Sequence, residues 1–302
     1  MKYTRWIFLL LIITLPLQAN NFDAFNKSLD KKDTKKARKL LDNWGAGKLE
    51  DPQYYICEFN YYVRSGMHSG MVTTVEPPES GESLELTDPK TGEVAGYMYE
   101  TVTFNDEVID QGIEFIHKGI EKFPDHYEMR FGLLWILKEL KRYDPYLDQL
   151  DESLAYYRSG KFKTMYWNEN KRVENPGEFL IERIQGNLNE MLSEGFIKSH
   201  KEFAFRYADL MIQYFPDHKY GYSNKGVIHF YNEETDQAIG YFLKALEKDP
   251  EDELTLYNIA YFYDISGNPE KAEVYYQKVI DDGDNTTLTG YAEKRLEELT
   301  RE

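Results

Sequence analysis

Residues 219–250 read KYGYSNKGVIHFYNEETDQAIGYFLKALEKDP, and residues 253–282 read ELTLYNIAYFYDISGNPEKAEVYYQKVIDD. With an offset of 34, Gly226 falls on Ala260, Ala238 on Ala272, Phe242 on Tyr276 and Ala245 on Val279. One period earlier, Pro216 stands in the place of Pro250. A fixed period of this length reads as stacked helix–turn–helix units. Small residues let two helices approach, and large ones at helical spacing fill the seam between neighbours. The pattern predicts helices over about 219–231 and 236–248, then 254–264 and 270–280. Ser266-Gly267-Asn268-Pro269 is the second turn, with proline at the first helical position, where its missing N–H costs nothing. Residues 287–302 read as a capping helix, with Leu288, Tyr291, Leu296 and Leu299 inward and charges elsewhere.

Tyr222, Gly226, Ala238, Phe242, Ala245 and Pro250, with Ala260, Tyr263, Ala272 and Tyr276, resemble the tetratricopeptide repeat; His229 departs from it where Tyr or Leu is usual. The resemblance is best over 219–286 and, with weaker units, covers about two thirds of the chain beyond residue 19. It implies an all-α, right-handed helical solenoid whose first helices line a concave binding face.

Upstream, the period breaks twice. Phe123-Pro124-Asp125-His126 and Phe215-Pro216-Asp217-His218 are the same helix-ending sequence 92 residues apart, two periods plus 24. Residues 160–178, with Tyr166-Trp167 and Asn175-Pro176-Gly177, have the composition to hold most of that excess as a long irregular loop. Pro52 and Pro124 are 72 apart, one period plus 38, which makes residues 66–104 a second insertion. Within it, Ser83–Thr87 and Glu93–Tyr99 alternate around the turn Asp88-Pro89-Lys90-Thr91-Gly92, predicting a β-hairpin between two helices of one repeat. Asn105 supplies a cap for the helix that follows. Residues 22–43 read as an amphipathic pair with Phe22, Phe25, Leu29, Ala37, Leu40, Leu41 and Trp44 inward. The order of elements, with Phe59-Asn60-Tyr61-Tyr62, the Pro77-Pro78 hairpin, Phe123-Pro124 and the Tyr166-Trp167 loop, resembles a family of exported bacterial tetratricopeptide proteins of unassigned activity.

Lys2 and Arg5, the apolar run Trp6–Leu17 and the sequence Leu17-Gln18-Ala19 form the three parts of a secretory signal over residues 1–19. The run is shorter than the roughly 20 residues a spanning helix needs. The expectation is an exported protein, periplasmic or extracellular, with a single solenoid over 20–302 and no membrane span after signal removal. Lys plus Arg total 36 against 53 Asp plus Glu, a net charge of -17. Such a surface disfavours nucleic acid and anionic lipid, whose binding rests on basic contacts to phosphate, and favours cationic partners. Cys57 is the only cysteine, so an intrachain disulfide and a cysteine-based metal site are excluded, and its helical context predicts a buried thiol.

Catalytic motifs are missing: no nucleophile elbow, phosphate-binding glycine loop or zinc-binding HExxH. Glu114-Phe115-Ile116-His117 has the spacing of one half of a carboxylate-bridged metal site, but such sites need two such pairs and further glutamates. A solvated helix face is the expected reading, with no cofactor and no metal. The sequon-like Asn26-Lys27-Ser28 and Asn285-Thr286-Thr287 read as helix and turn residues. What remains is a recognition surface. Asn224 and Asn258 occupy the sixth position of the two first helices, where asparagine in similar repeats holds peptide backbone; Tyr220, Tyr257 and Tyr261 share that face. A second candidate is Tyr166 and Trp167 in a loop carrying Lys161, Lys163, Lys171 and Arg172. The expected function is a non-catalytic exported scaffold for a protein or peptide partner. The alternatives are a glycan-binding component of an envelope uptake system, stacking sugars on Tyr and Trp, and an enzyme with an unrecognised acidic site.

Overall fold

The computed structural model describes residues 17–45, 47–78, 82–282 and 286–300. Residues 1–16 of the predicted signal and the Asn285 sequon position lie outside them. The chain divides into two compact units, Met1–Ile136 with Tyr166–Lys171, and Leu137–Met165 with Arg172–Glu302. No described helix is long and apolar enough to cross a membrane.

In the first unit, α1 (Leu17–Asp30) and α2 (Thr34–Asp42) pack on each other and on α3 (Pro52–Gly66). Their apolar stripes meet as predicted: Phe25, Ala37, Leu41 and Trp44 are buried with Tyr54 and Cys57, flanked by Phe22, Leu29 and Leu40. Burial pushes the Cys57 thiol well above its ordinary range, which keeps it protonated and inert. The same core holds an unpredicted ion pair. Glu58 on α3 is buried and accepts both arms of the Arg38 guanidinium at 2.8 Å, and the Tyr54 hydroxyl donates to it at 2.6 Å.

Helix α3 packs against α4 (Asp106–Lys122), and here glycine is required by contact. A Cβ on Gly119 would stand 2.8 Å from Tyr55 Cβ, and one on Gly112 would stand 2.8 Å from Tyr62 Cβ. Two glycines one heptad apart therefore set how closely the helices approach. The strands occupy Met67–Phe104, the 38 residues by which the period fails. The hairpin is there as β2 (Leu84–Thr87) and β3 (Val94–Phe104), with Gly92 at φ 73° closing its turn onto Asp88. A further strand, β1 (Met67–Thr74), continues directly from α3 and pairs with β3, giving an antiparallel sheet of order β1-β3-β2. Asn105 caps α4 through Val108 N–H at 3.2 Å. Glu114 and His117 are exposed on α4.

The second insertion is more ordered than a loop. Beyond α5 (Tyr127–Glu139) and α6 (Tyr143–Arg158), the two-residue strands β4 (Tyr166–Trp167) and β5 (Lys171–Arg172) form a small hairpin. Its turn holds Asn168, Glu169 and Asn170 in succession at positive φ. The remaining excess over the period lies beyond α7 (Pro176–Asn189), in the six-residue α8 (Glu194–Ser199) that precedes α9 (Lys201–Tyr214).

In the second unit, α10 (Lys219–Tyr231), α11 (Thr235–Leu246), α12 (Glu253–Ile265) and α13 (Pro269–Asp282) match the predicted helices to within two residues, and α14 (Thr286–Leu299) begins one residue before the predicted cap. Consecutive members pack together, with α9 against α10. Ala238, Ala260 and Ala272 are fully buried at the close approaches. The turns repeat as well as the helices: Glu233 and Gly267, 34 apart, both take left-handed φ, near 63° and 71°. Lys141 takes φ 55° in the α5–α6 turn, 92 residues before Glu233, the same spacing as the two Phe-Pro-Asp-His sequences. His218 begins α10 by accepting the Tyr220 N–H at 3.3 Å.

The cap helix differs from prediction in one residue. Ala292 is buried, with Leu288 and Leu299 packed beside it, whereas Tyr291 is 58% exposed. Position 291 lies at the margin of the stripe through 288, 292, 295 and 299, where its side chain stays open to water. Arg295 lies in that stripe and grips Asp264 of α12 at 2.5 and 2.9 Å. Those hydrogen bonds hold the Asp264 carboxyl below its ordinary 3.8. The unfolded chain therefore takes up this proton more readily than the folded one. The pair contributes its full stability above the ordinary value and loses it as pH falls below 3.8 towards the lowered folded value. Amide protection in α14 should accordingly drop between neutral pH and about pH 3, and Asp264→Asn should lower it already at neutral pH. Unchanged α14 protection in both cases would remove Asp264 from the docking of the cap.

Candidate functional site

The second unit carries a groove of about 510 Å³ over α7, α10 and α12. Its size falls within the span typical of ligand clefts, about 300–1,000 Å³. Tyr220, Asn224 and Asn258 line it, three of the residues singled out by sequence. Helical spacing puts Tyr220, Ser223, Asn224 and Val227 on one face of α10, and Leu254, Thr255 and Asn258 on one face of α12. Behind α10, Gly226 lies against the Phe242 ring, so the groove floor depends on the close pairing of α10 with α11.

The two asparagines, equivalent by repeat, are in different states. Asn224 is buried, and its amide forms a reciprocal pair with Gln185 of α7, donating at 2.8 Å and accepting at 3.2 Å. Its hydrogen-bonding capacity is spent inside the protein. Asn258 is half-buried, lines the groove, and has no side-chain hydrogen bond to any described residue. Tyr220 closes one side, its ring 4.5 Å from that of His218 and its hydroxyl donating to Glu182 at 3.1 Å. Burial, reinforced by Glu182, raises the Tyr220 phenol, while burial lowers the His218 imidazole.

The groove lining carries one cation, Lys219, and one carboxylate, Asp252. The Lys219 ammonium bonds Asp249 at 2.7 Å and Asp252 at 2.8 Å. Burial opposes that charge, but the two carboxylates outweigh it and hold Lys219 above its ordinary range, while Lys219 holds Asp249 below. Thr255, which donates to Asp252, links this cluster to Ser223 at 3.3 Å. Lys219, the cation of the lining, is thus paired with two carboxylates, and Glu182 on α7, outside the lining, accepts from the Tyr220 hydroxyl. Gln185, Lys219, Asp252 and Thr255 were not anticipated as site residues. Lys219 stands one period before Glu253, a charge reversal at the start of the two first helices that is the available sequence signal. For Gln185 no signal exists, because α7 lies outside the clear period.

The other predicted residues are placed elsewhere. Tyr257 is half-buried with its ring edge-on to Tyr276 at 5.8 Å, and Tyr261 is exposed beside Phe230 and Phe262. Neither is among the lining residues of the groove. Tyr166 and Trp167 belong to the first unit. Tyr166 stacks on His126 at 4.9 Å and its N–H donates to Asp125, while Trp167 packs edge-on to Phe131 at 5.6 Å. The hairpin is anchored from below, with Gln53 donating to Glu128 at 3.2 Å and to Asn170 at 3.3 Å. Lys161, Lys163, Lys171 and Arg172 are exposed. Among the described residues no group of His, Cys, Asp or Glu is arranged to hold a metal ion.

A tetratricopeptide repeat model matches residues 241–274, one period that runs from α11 into α13. No curated protein matches the chain. Among solved structures it is similar to MamA, residue 41 to the end, from Desulfovibrio magneticus RS-1, at 15% identity and a TM-score of 0.36, covering 59% of this chain and 86% of that one. It is similar to YrrB, described as a TPR protein with an unusual peptide-binding site, at 16% identity and a TM-score of 0.36, covering 61% and 83%. A thermophilic TPR protein of Thermus thermophilus, TTC0263, gives 15% identity and a TM-score of 0.36, covering 62% and 90%. The chain is a mostly helical protein with a tetratricopeptide-type unit at residues 241–274 and a small sheet between α3 and α4.

Proposed function

We propose that this protein is a non-catalytic, exported scaffold that binds an extended, basic segment of a partner protein in the groove over α7, α10 and α12. The observation that carries the reading is Asn258: a half-buried amide lining a groove with no hydrogen bond to spend it on, beside an equivalent asparagine that is fully engaged. An extended chain presents one N–H and one C=O per residue, and a side-chain amide can meet both. Asp249 and Asp252 together outnumber Lys219, Glu182 stands beside the groove against Tyr220, and the net charge of -17 likewise favours Lys or Arg on that chain. Export rests on the pattern of residues 1–19.

The test is binding of a peptide array, basic and acidic, by fluorescence anisotropy. Basic extended peptides should bind saturably and more weakly as salt rises. Asn258→Ala should weaken them roughly five- to tenfold, the size of one or two lost hydrogen bonds, and leave thermal stability unchanged. Preference for acidic peptides, or equal affinity in Asn258→Ala, would sink the reading.

A further inference from the structure

Lys219 runs against a local rule. It is the first residue of α10, where the aligned peptide dipoles of a helix disfavour positive charge. One period later the same position is Glu253, the first residue of α12, which obeys the rule. The repeat therefore does not require a cation here. What holds Lys219 is a pair of carboxylates: its ammonium donates to Asp249 Oδ2 at 2.7 Å and to Asp252 Oδ1 at 2.8 Å. Asp252 is well covered and also accepts from Thr255, whereas the Asp249 side chain is 42% exposed. Lys219 and Asp252 line the same groove as Asn258.

We propose that Lys219 is a built-in stand-in for the partner's cation, occupying Asp249 and Asp252 until a basic residue of the bound segment replaces it, and thereby setting which segments the groove accepts. This role presupposes that the groove takes an extended basic segment, and it names where that segment's cation arrives. An incoming ammonium or guanidinium seeks the same two carboxylates and meets Lys219 already there. The Asp249 half of the pairing is open to water and contributes little, and a flexible four-carbon stem lets Lys219 swing aside. A lone cation gains nothing by the exchange, since one ammonium replaces another. A segment whose backbone also meets the Asn258 amide has a net gain. Lys219 thus makes backbone pairing a condition of binding and rejects basic groups that bring no extended chain.

The test is fluorescence anisotropy on the full chain with a labelled octapeptide of Ser and Ala carrying two central Lys, and with its counterpart carrying two central Glu. Lys219→Gln removes the charge but keeps a donor for Asp252. It should bind the lysine peptide about three- to tenfold more tightly than the unmodified chain, the size of one like charge removed at close range in water. Lys219→Glu, which copies Glu253, should gain more. Lys219→Arg, a cation that can fork onto both carboxylates, should gain nothing. Asp249→Asn should weaken the lysine peptide. The gain in Lys219→Gln should vanish in about 1 M salt, where screening acts within about 3 Å. A lysine that merely ties α10 to the turn before α12 predicts the opposite, because loosening the tie weakens the groove. Equal or weaker binding by Lys219→Gln and Lys219→Glu, with Asn258→Ala still weakening the lysine peptide, would overturn the stand-in and leave the groove reading intact. A gain that persists at high salt, or an equal gain for the glutamate peptide, would overturn it as well. No binding of the lysine peptide by the unmodified chain or by any Lys219 variant would sink both.

Discussion

Gly226→Leu should destabilise the second unit by about 2–3 kcal/mol, the cost of forcing volume into a packed seam. A Cβ alone at this position would stand 2.7 Å from Phe242 Cε2 and Cζ. The Phe242 ring has nowhere to retreat: it is fully buried and lies 5.3 Å from the Phe262 ring on α12. Relief must therefore come from parting α10 and α11, which also opens the groove floor. Thermal unfolding should fall by roughly 5–10 °C for a unit of this size. Gly240→Ala is the control. It lies on α11 with nothing within 4 Å of its Cβ, and alanine there should be neutral or stabilising because glycine is the poorer helix former. Equal melting temperatures for Gly226→Leu and the unmodified chain would contradict the helix register itself.

Arg38→Ala should cost the first unit about 3 kcal/mol, since it leaves the buried Glu58 carboxylate without its cation. The Glu58 side chain is only 4% exposed, so water cannot replace the guanidinium, and the Tyr54 hydroxyl remains as a single donor. Combining Arg38→Ala with Glu58→Gln should recover much of the loss, because a neutral amide is cheaper to bury than an unpaired charge. Denaturant unfolding followed by Trp44 fluorescence reports on this core, in which Trp44 is packed and donates to Asp51. A cost below about 1 kcal/mol for the single change, the size of an exposed ion pair, would mean that water reaches Glu58.

The elements that could be read from the chain are those with local rules. The α10–α13 pairs follow from Gly226, Ala238, Ala260 and Ala272, because only small residues fit where the helices touch. The β2–β3 hairpin follows from its Asp88–Gly92 turn. Strand β1 lacks such a signal: Met67–Thr74 leaves α3 without a turn, and its fixed register comes from β3, about thirty residues later. The Arg38–Glu58 pair joins two helices with no spacing rule between them, and α8 is too short to show a period. At the groove, the repeat located Asn224 and Asn258, but the difference between them is set by Gln185, a residue on a helix outside the clear period. Tyr291 illustrates a smaller limit, since on a 14-residue helix a one-position choice of stripe turns a core residue into an exposed one.

Partner recognition by the groove of the second unit is tested most directly by chemical-shift mapping of the full chain during titration with the tightest basic peptide. Perturbed resonances should gather at Tyr220, Ser223, Thr255 and Asn258, with the Asn258 side-chain amide shifting most. Perturbation centred on Tyr166, Trp167 and Lys171, with the Asn258 amide unmoved, would contradict recognition at the groove.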